Sequence, residues 1–442
     1  MGRLFGTDGI RGVANVDLTP TLAYDLGRAV GHHLEAAGRS VVIGQDTRRS
    51  GDMLVAALAA GLTSVGADVL ELGVVTTPGL AFVAGGGGHV AGIMVSASHN
   101  PASDNGLKVL SGGRKVDDEA EEILERLIFA AEALPGRHND ELGRVRRDAT
   151  PLAGYRQHLA AAAGEALRGL RIVLDCANGS ASVVAPELFA ELGAEVTVLS
   201  ADPDGSNINL DCGSTHPEHL QAAVRSSGAD LGLAFDGDAD RLIAADEKGQ
   251  LLDGDSVMGI CALARLAAGT LRNNVLVATV MSNGGLERAI TDAGGRLIRT
   301  PVGDRHVFEA MERHDAVMGG EQSGHIIFRE RATTGDGILS GIELIRVLRA
   351  AGEPLSTLAA RVPRLPQVVL NSAVRHKDQW QIDPAFNAAV AQATERLRGT
   401  GRILVRPSGT EPKLRIMVEG DDPGEISAIA HELDELAQAR LN

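Results

Sequence analysis

Three times along the chain a short β-branched run leads into a polar loop, then an amphipathic stretch, then a glycine turn and a second apolar run. The copies are SVVIGQDTRRSG with ALAAGLTSVGADVLELG, RIVLDCANGSAS with APELFAELGAEVTVLS, and NVLVATVMSNGG with LERAITDAGGRLIRT. Continuous apolar runs joined by helix-spaced segments predict parallel strands with helical crossovers, hence βαβ units. Beyond them the pattern changes. QVVLNSAVR, GRILVRPSG and LRIMVEG predict strands, and ISAIAHELDELAQARL predicts an amphipathic terminal helix. The expected fold class is α/β: three related α/β domains at 1–150, 151–252 and 253–365, with a C-terminal α+β domain at 366–442.

Composition narrows the partners. The 442 residues hold 42 Lys+Arg against 58 Asp+Glu, a formal charge of −16, which gives no long-range pull toward nucleic acid or anionic membranes. Aromatics are only 2%, too few for base-stacking platforms. Cys176, Cys212 and Cys261 form no C-x-x-C pair, so a reducing compartment, the cytoplasm, is expected. No residue from Leu72 to Ser103 is formally charged, but Gly85 to Gly88, His89 and two prolines interrupt the stretch and oppose a spanning helix. The N-terminus has no apolar export core. No membrane and no nucleic acid are expected.

Four loops carry chemistry. In SASHNPASDNGLK, Ser98 and His99 stand at a strand end ten residues before Lys108, a hydroxyl with proton-handling or anion-holding neighbours. An incidental Asn-Pro turn explains the string equally well. DGDADR sets Asp236, Asp238 and Asp240 at alternate positions after a strand. In an extended loop they point one way, and two carboxylates about 5 Å apart repel by about 3 kcal/mol at an effective dielectric near 20. A cation or protonation follows, and oxygen donors favour Mg²⁺ or Ca²⁺. Arg241 stands where a calcium-binding EF-hand needs glycine, which removes that motif. Glu321, Ser323 and His325 alternate in GEQSGH and offer polar groups suited to sugar hydroxyls, or equally a surface turn. In RPSGTEPKLRI, Arg406, Ser408, Gly409, Thr410 and Arg415 make a phosphate cradle, against the alternative of a plain hairpin turn. Gly86, Gly88 and Ala91 fit a loose dinucleotide pattern, but a strand-like GIMVSA follows where a helix is required. His32, His33, His158, His216 and His431 have no metal-ligand spacing and read as surface or packing residues.

These strings, with FGTDGIRG at Phe5–Gly12, resemble in content and order the α-D-phosphohexomutase superfamily, and within it the bacterial phosphoglucosamine mutases. The resemblance spans the chain and implies four domains around a cleft. It also implies interconversion of glucosamine 6-phosphate and glucosamine 1-phosphate on the path to UDP-N-acetylglucosamine. By it, Ser98 would be a phosphoserine, passing its phosphoryl group through a bound 1,6-bisphosphate of glucosamine or glucose. Asp236, Asp238 and Asp240 would hold one Mg²⁺ together with Ser98. Arg11 and Lys108 would flank the reacting oxygens, with Lys108 as acid or base and His99 in support. Arg241, Gly303, Asp304, Arg305, Glu321, Ser323 and His325 would bind the sugar. Arg406, Ser408, Gly409, Thr410 and Arg415 would grip the phosphate that is not transferred.

Other readings compete. A phosphomannomutase or phosphoglucomutase shares the motifs, an aspartyl-phosphate phosphatase would use Asp236 as nucleophile, and a non-catalytic sugar-phosphate sensor would need only the binding groups. A hexosamine phosphate is the expected ligand, a homodimer is compatible with the sequence, and the cleft is expected to be a basic island in an acidic protein.

Overall fold

The first strand-helix-strand copy, Ser40–Gln45, Gly51–Ser64 and Asp68–Val74, lies in a sheet whose order runs Asp104–Ser111, Ala91–Val95, Ser40–Gln45, Asp68–Val74. The last three are parallel, and Asp104–Ser111 returns antiparallel to Ala91–Val95. The computed structural model describes residues 4–6, 8–130, 134–408 and 412–442. The same order recurs twice. In the second sheet it is Leu242–Asp246, Leu231–Phe235, Arg171–Asp175, Glu195–Leu199. In the third it is Ile326–Phe328, Met318–Gly320, Val275–Thr279, Arg296–Thr300. The pattern in the sequence captured two parallel strands per copy; the full repeat adds a third and its antiparallel return. The fourth sheet, Gln367–Ala373, Lys413–Gly420, Gly401–Pro407, is wholly antiparallel and packs under the helix Pro423–Arg440. The fold is thus three related α/β domains followed by a smaller α+β domain.

Small side chains let these layers close without aromatics. The central strands Ala91–Val95, Leu231–Phe235 and Val275–Thr279 are buried along their whole length, as sheets covered on both faces require. Gly61 in Gly51–Ser64 meets the helix Pro20–His33 so closely that a Cβ there would lie 2.1 Å from the Tyr24 carbonyl oxygen. The second and third domains share one continuous apolar core reaching from Tyr155 to Val362, whereas the first and fourth have their own. Polar contacts complete the assembly: Arg305 with Glu121 (2.8 Å) and Arg114 with Glu312 (2.7 Å) join the first and third domains. Glu419, fully buried on the fourth domain, accepts from the Gly284 N–H at 2.8 Å, at the start of the helix Gly284–Asp292. Among the described residues no helix is long and apolar enough to cross a membrane. His158 packs against Phe82, with ring centroids 5.3 Å apart.

Candidate active site

All three chemical loops of the α/β domains occupy one topological position, the turn between the third parallel strand and its antiparallel return. Residues 96–103 join Ala91–Val95 to Asp104–Ser111, residues 236–241 join Leu231–Phe235 to Leu242–Asp246, and residues 321–325 join Met318–Gly320 to Ile326–Phe328. The phosphate-cradle string turns the hairpin between Gly401–Pro407 and Lys413–Gly420. One connection, repeated, has been given different side chains.

Two of these turns meet atom to atom. The Ser98 hydroxyl donates to Asp236 Oδ2 at 2.5 Å, and a Cβ on Gly237 would lie 2.6 Å from the Ser98 carbonyl oxygen. Ser98 is buried and has a left-handed backbone, φ 52°, a conformation that costs a non-glycine residue about 1–3 kcal/mol and persists only where its surroundings enforce it. His99 Nδ1 lies 3.4 Å from the Ser98 hydroxyl oxygen. Burial, then the charges of Arg241 and Arg11, push the imidazole down to about 4.

The acidic turn is not extended. Ala239 is left-handed, φ 57°, and its N–H donates back to the Asp236 carbonyl at 3.0 Å. The carboxylates converge through that tight turn instead of strand alternation, with one ligand oxygen of each lying within 4.8 Å of the others. All three are buried. Burial, then Asp240 and Asp238, holds the Asp236 carboxyl well above the usual range. Burial acts on Asp238 in the same sense, but the Lys108 ammonium overcomes it and holds that carboxyl low. Lys108 Nζ donates to Asp238 at 2.6 Å and to Asp240 at 3.3 Å. Although burial opposes its charge, the two carboxylates raise its pKa. Asp238 Oδ1 and Asp240 Oδ1 are buried with no hydrogen-bond partner among the described residues. Unpaired buried oxygens in an all-carboxylate cluster fit a hard divalent cation.

Asp240, Arg241, Lys108, Arg11, Asp304, Glu321 and His325 line one small cavity beside this cluster. Glu321 Oε1 accepts from the Gly303 N–H at 3.0 Å. His325 is buried, and its Nε2 accepts from the Gly335 N–H at 3.2 Å while Nδ1 has no hydrogen-bond partner among the described residues. Ser323 is exposed at the tip of its turn.

Arg305 is the departure from expectation. Its guanidinium pairs with Asp118 and Glu121 and donates to the Val116 carbonyl at 2.7 Å, so it ties the third domain to the first and does not face the cavity. Asp304 and Arg305 open the helix Asp304–Arg313, where successive side chains diverge by about 100°; Asp304 alone turns to the cavity, 3.5 Å from Lys115.

Arg406, Ser408 and Arg415 stand on the fourth-domain hairpin, outside that cavity. Arg406 and Arg415 face each other across the hairpin and have no carboxylate partner among the described residues. Burial, then the like charge of Arg415, lowers the Arg406 pKa, the environment of a group built for an anion. Gly409 and Thr410 lie outside the described residues, as do Thr7 of FGTDGIRG and Glu411 of RPSGTEPKLRI.

Several participants escape motif reading. Thr77 donates to Asp238 Oδ2 at 2.6 Å, and its N–H donates to the Asp238 carbonyl at 2.9 Å. Lys377 Nζ donates to the Ser408 carbonyl at 2.5 Å. Arg48, Asp46, Ser96 and Asn209 surround the serine turn. Of these, Asp46 and Arg48 lie in the polar loop of the first repeat and Ser96 opens SASHNPASDNGLK, so only Asn209 carried no signal.

Family models agree with this architecture along the whole chain. Those for phosphoglucomutase/phosphomannomutase alpha/beta/alpha domains I, II and III match residues 2–134, 153–249 and 253–365, and the C-terminal domain model matches 369–436. The phosphoglucosamine mutase of Moorella thermoacetica is 54% identical over 99% of both chains. That of Symbiobacterium thermophilum is 51% identical over 100% of both. Among solved structures, a phosphoglucomutase/phosphomannomutase family protein from Burkholderia thailandensis superposes with TM-score 0.84 at 28% identity, covering 99% of this chain and 97% of the other. Aspergillus fumigatus N-acetylphosphoglucosamine mutase, solved with GlcNAc-6P and magnesium, shares the fold with TM-score 0.69 at 21% identity, covering 99% and 96%. With every domain matched in order and half the residues shared with such relatives, the chain belongs to the phosphoglucosamine mutase branch of the phosphoglucomutase/phosphomannomutase family.

Proposed function

We propose that the protein interconverts glucosamine 6-phosphate and glucosamine 1-phosphate through a phosphorylated Ser98. The observation that carries this reading is the Ser98 hydroxyl set 2.5 Å from Asp236 within the buried three-carboxylate cluster. Phosphorylated Ser98 gives its phosphoryl group to the free sugar hydroxyl; the Ser98 O–P bond breaks, a sugar O–P bond forms, the sugar hydroxyl gives up its proton to a nearby base, and Ser98 Oγ takes one up to become a hydroxyl again. The resulting 1,6-bisphosphate turns over and returns its other phosphate to Ser98. Glucose 1,6-bisphosphate would prime the same serine.

Asp236, Asp238 and Asp240 are the residues to hold one Mg²⁺ per chain, with an oxygen on Ser98 completing the set. When bound, such an ion neutralises the phosphoryl oxygens. Lys108 and Arg11 line the reaction side and meet the negative charge that moves between serine and sugar. Glu321 and His325 present an acceptor and a ring nitrogen toward the sugar, with Ser323, Gly303, Asp304 and Arg241 beside them. Arg406, Ser408, Gly409, Thr410 and Arg415 take the phosphate that is not moving, with Lys377 steadying their turn. Arg305 serves as an interdomain tie. The setting is cytoplasmic, and a homodimer is compatible with this arrangement.

The test compares kcat/KM for glucosamine, glucose and mannose phosphates, with Ser98→Ala as control. Preference for glucosamine phosphate, an added phosphate mapping to Ser98, and no turnover by Ser98→Ala are expected. A preference for mannose 1-phosphate, or phosphate mapping elsewhere in active enzyme, overturns the reading.

A further inference from the structure

The geometry points to Arg48, Ser96 and Asn209 as positioning residues that hold Ser98 in its left-handed conformation, an inference that rests on the function proposed above. Each polar group of the Ser98 backbone is held by a side chain. Its N–H donates to Ser96 Oγ at 2.9 Å, and Ser96 Oγ in turn donates to Asp46 Oδ2 at 2.6 Å. Its carbonyl accepts from two sides: Arg48 Nη2 at 3.0 Å and Asn209 Nδ2 at 2.9 Å. The same two donors reach the Asn100 carbonyl at 2.8 and 3.1 Å.

Arg48 is almost completely buried and aims both terminal nitrogens of its guanidinium at this turn and its exit. Asp46 accepts from Nε at 2.9 Å, and the Pro101 and Asp104 carbonyls accept from Nη1. A buried arginine satisfied mainly by carbonyls of one turn fixes that turn's path. Asn209 comes from the second domain, which also carries the acidic cluster, and is itself left-handed, φ 59°. It therefore registers the serine turn of the first domain against the carboxylates of the second. Nothing else about Asn209 requires an amide: aspartate tolerates the same backbone and fills the same space, but offers no donor and sets a charge against two carbonyls.

The experiment uses Asn209→Asp, Asn209→Gly and Ser96→Ala in the full chain. Glycine keeps the left-handed backbone without the donor, so the series stays readable if one variant fails to fold. Folded variants, checked by circular dichroism and thermal midpoint, are expected to lose at least 30-fold in kcat with KM for glucosamine phosphate within threefold. Asn209→Asp should fall below Asn209→Gly. Amide hydrogen exchange across residues 97–104 should rise at least tenfold. A kcat within threefold of wild type in Asn209→Asp, or unchanged exchange in that segment, overturns the inference. Absence of mutase activity in the wild type instead sinks the functional reading, and exchange alone then decides this one.

Discussion

Asp336 offers a sharp test of how the fold supports the acidic turn. It is 2% exposed, caps the helix Gly337–Ala351 by accepting from the Leu339 N–H at 2.9 Å, and accepts from the Tyr155 hydroxyl at 2.9 Å. The next residue, Gly337, donates its N–H to the Ala239 carbonyl of the acidic turn at 3.0 Å. Burial outweighs these hydrogen bonds and pushes the Asp336 carboxyl up to about 6, from 3.8. Between those values the folded state binds more protons than the unfolded one, so stability falls as pH rises through the window and is flat above it. At about 1.36 kcal/mol per pH unit the burden of the charge at neutral pH is about 3 kcal/mol. An asparagine side chain at this position cannot ionise, caps about as well as aspartate, and gives up about 1 kcal/mol of charge-assisted hydrogen bonding. Asp336→Asn should therefore be about 1–2 kcal/mol more stable than wild type at pH 7.5, about 2–8 °C in a unit the size of the fused second and third domains, and no more stable at pH 4. Thermal midpoints at pH 4, 5, 6 and 7.5 check this. A difference independent of pH, or one that shrinks toward neutrality, refutes the reasoning.

Exhaustive chelation should lower turnover more than 100-fold, reversibly on adding Mg²⁺, and Asp238→Asn should weaken Mg²⁺ binding measured by calorimetry; full activity after chelation removes the carboxylate cluster from the reaction. Arg415→Ala deletes one guanidinium from the proposed phosphate grip, a loss of about 1.5–3 kcal/mol, so KM should rise about 10–100-fold with a smaller change in kcat. Arg305→Ala leaves the buried Glu121 carboxyl without its guanidinium partner, so it should lower the thermal midpoint clearly while leaving KM within twofold; a tenfold rise in KM returns Arg305 to the sugar site.

The strands and the chemical turns were legible in the sequence because both are local. Val, Ile and Leu runs announce strands, and a polar string directly after each announces a loop at a sheet edge. What was hidden acts across distance. Arg48 meets Ser98 across 50 positions, Asn209 across 111, and Thr77 meets Asp238 across 161. No periodicity links such pairs; only the stacking of one turn on another does. The orientation of Arg305 was hidden for a related reason, since TPVGDRH does not reveal which of two adjacent helical residues turns toward the cavity. The shared core of the second and third domains was equally invisible, because a buried Leu looks the same whichever domain covers it.

The charge of the cleft also differs from what the motifs suggested. The cavity lining sets Asp8, Asp240, Asp304 and Glu321 against Arg11, Lys108, Lys115 and Arg241, a balance and not a basic island. Asp236 and Asp238 stand behind it, so with every carboxyl ionised six carboxylates would face four cations, a surplus of two negative charges, one of which Asp236 sheds while burial keeps its proton on. A divalent cation would offset that surplus, and a phosphate on Ser98 would add about two further negative charges. Each cation here already has a carboxylate nearby, as in Lys108 with Asp238 and Arg11 with Asp8 at 3.6 Å, which leaves little free positive charge to attract a second phosphate. The pair without a carboxylate partner among the described residues is elsewhere, Arg406 and Arg415 on the fourth domain. Under the proposed function the two phosphates of a bisphosphate would meet different electrostatics: one the carboxylate-and-lysine cluster with its metal, the other a pair of like charges whose repulsion an anion would relieve. Such asymmetry is what a reaction that exchanges the two ends of its intermediate requires, because only one end can be reactive at a time.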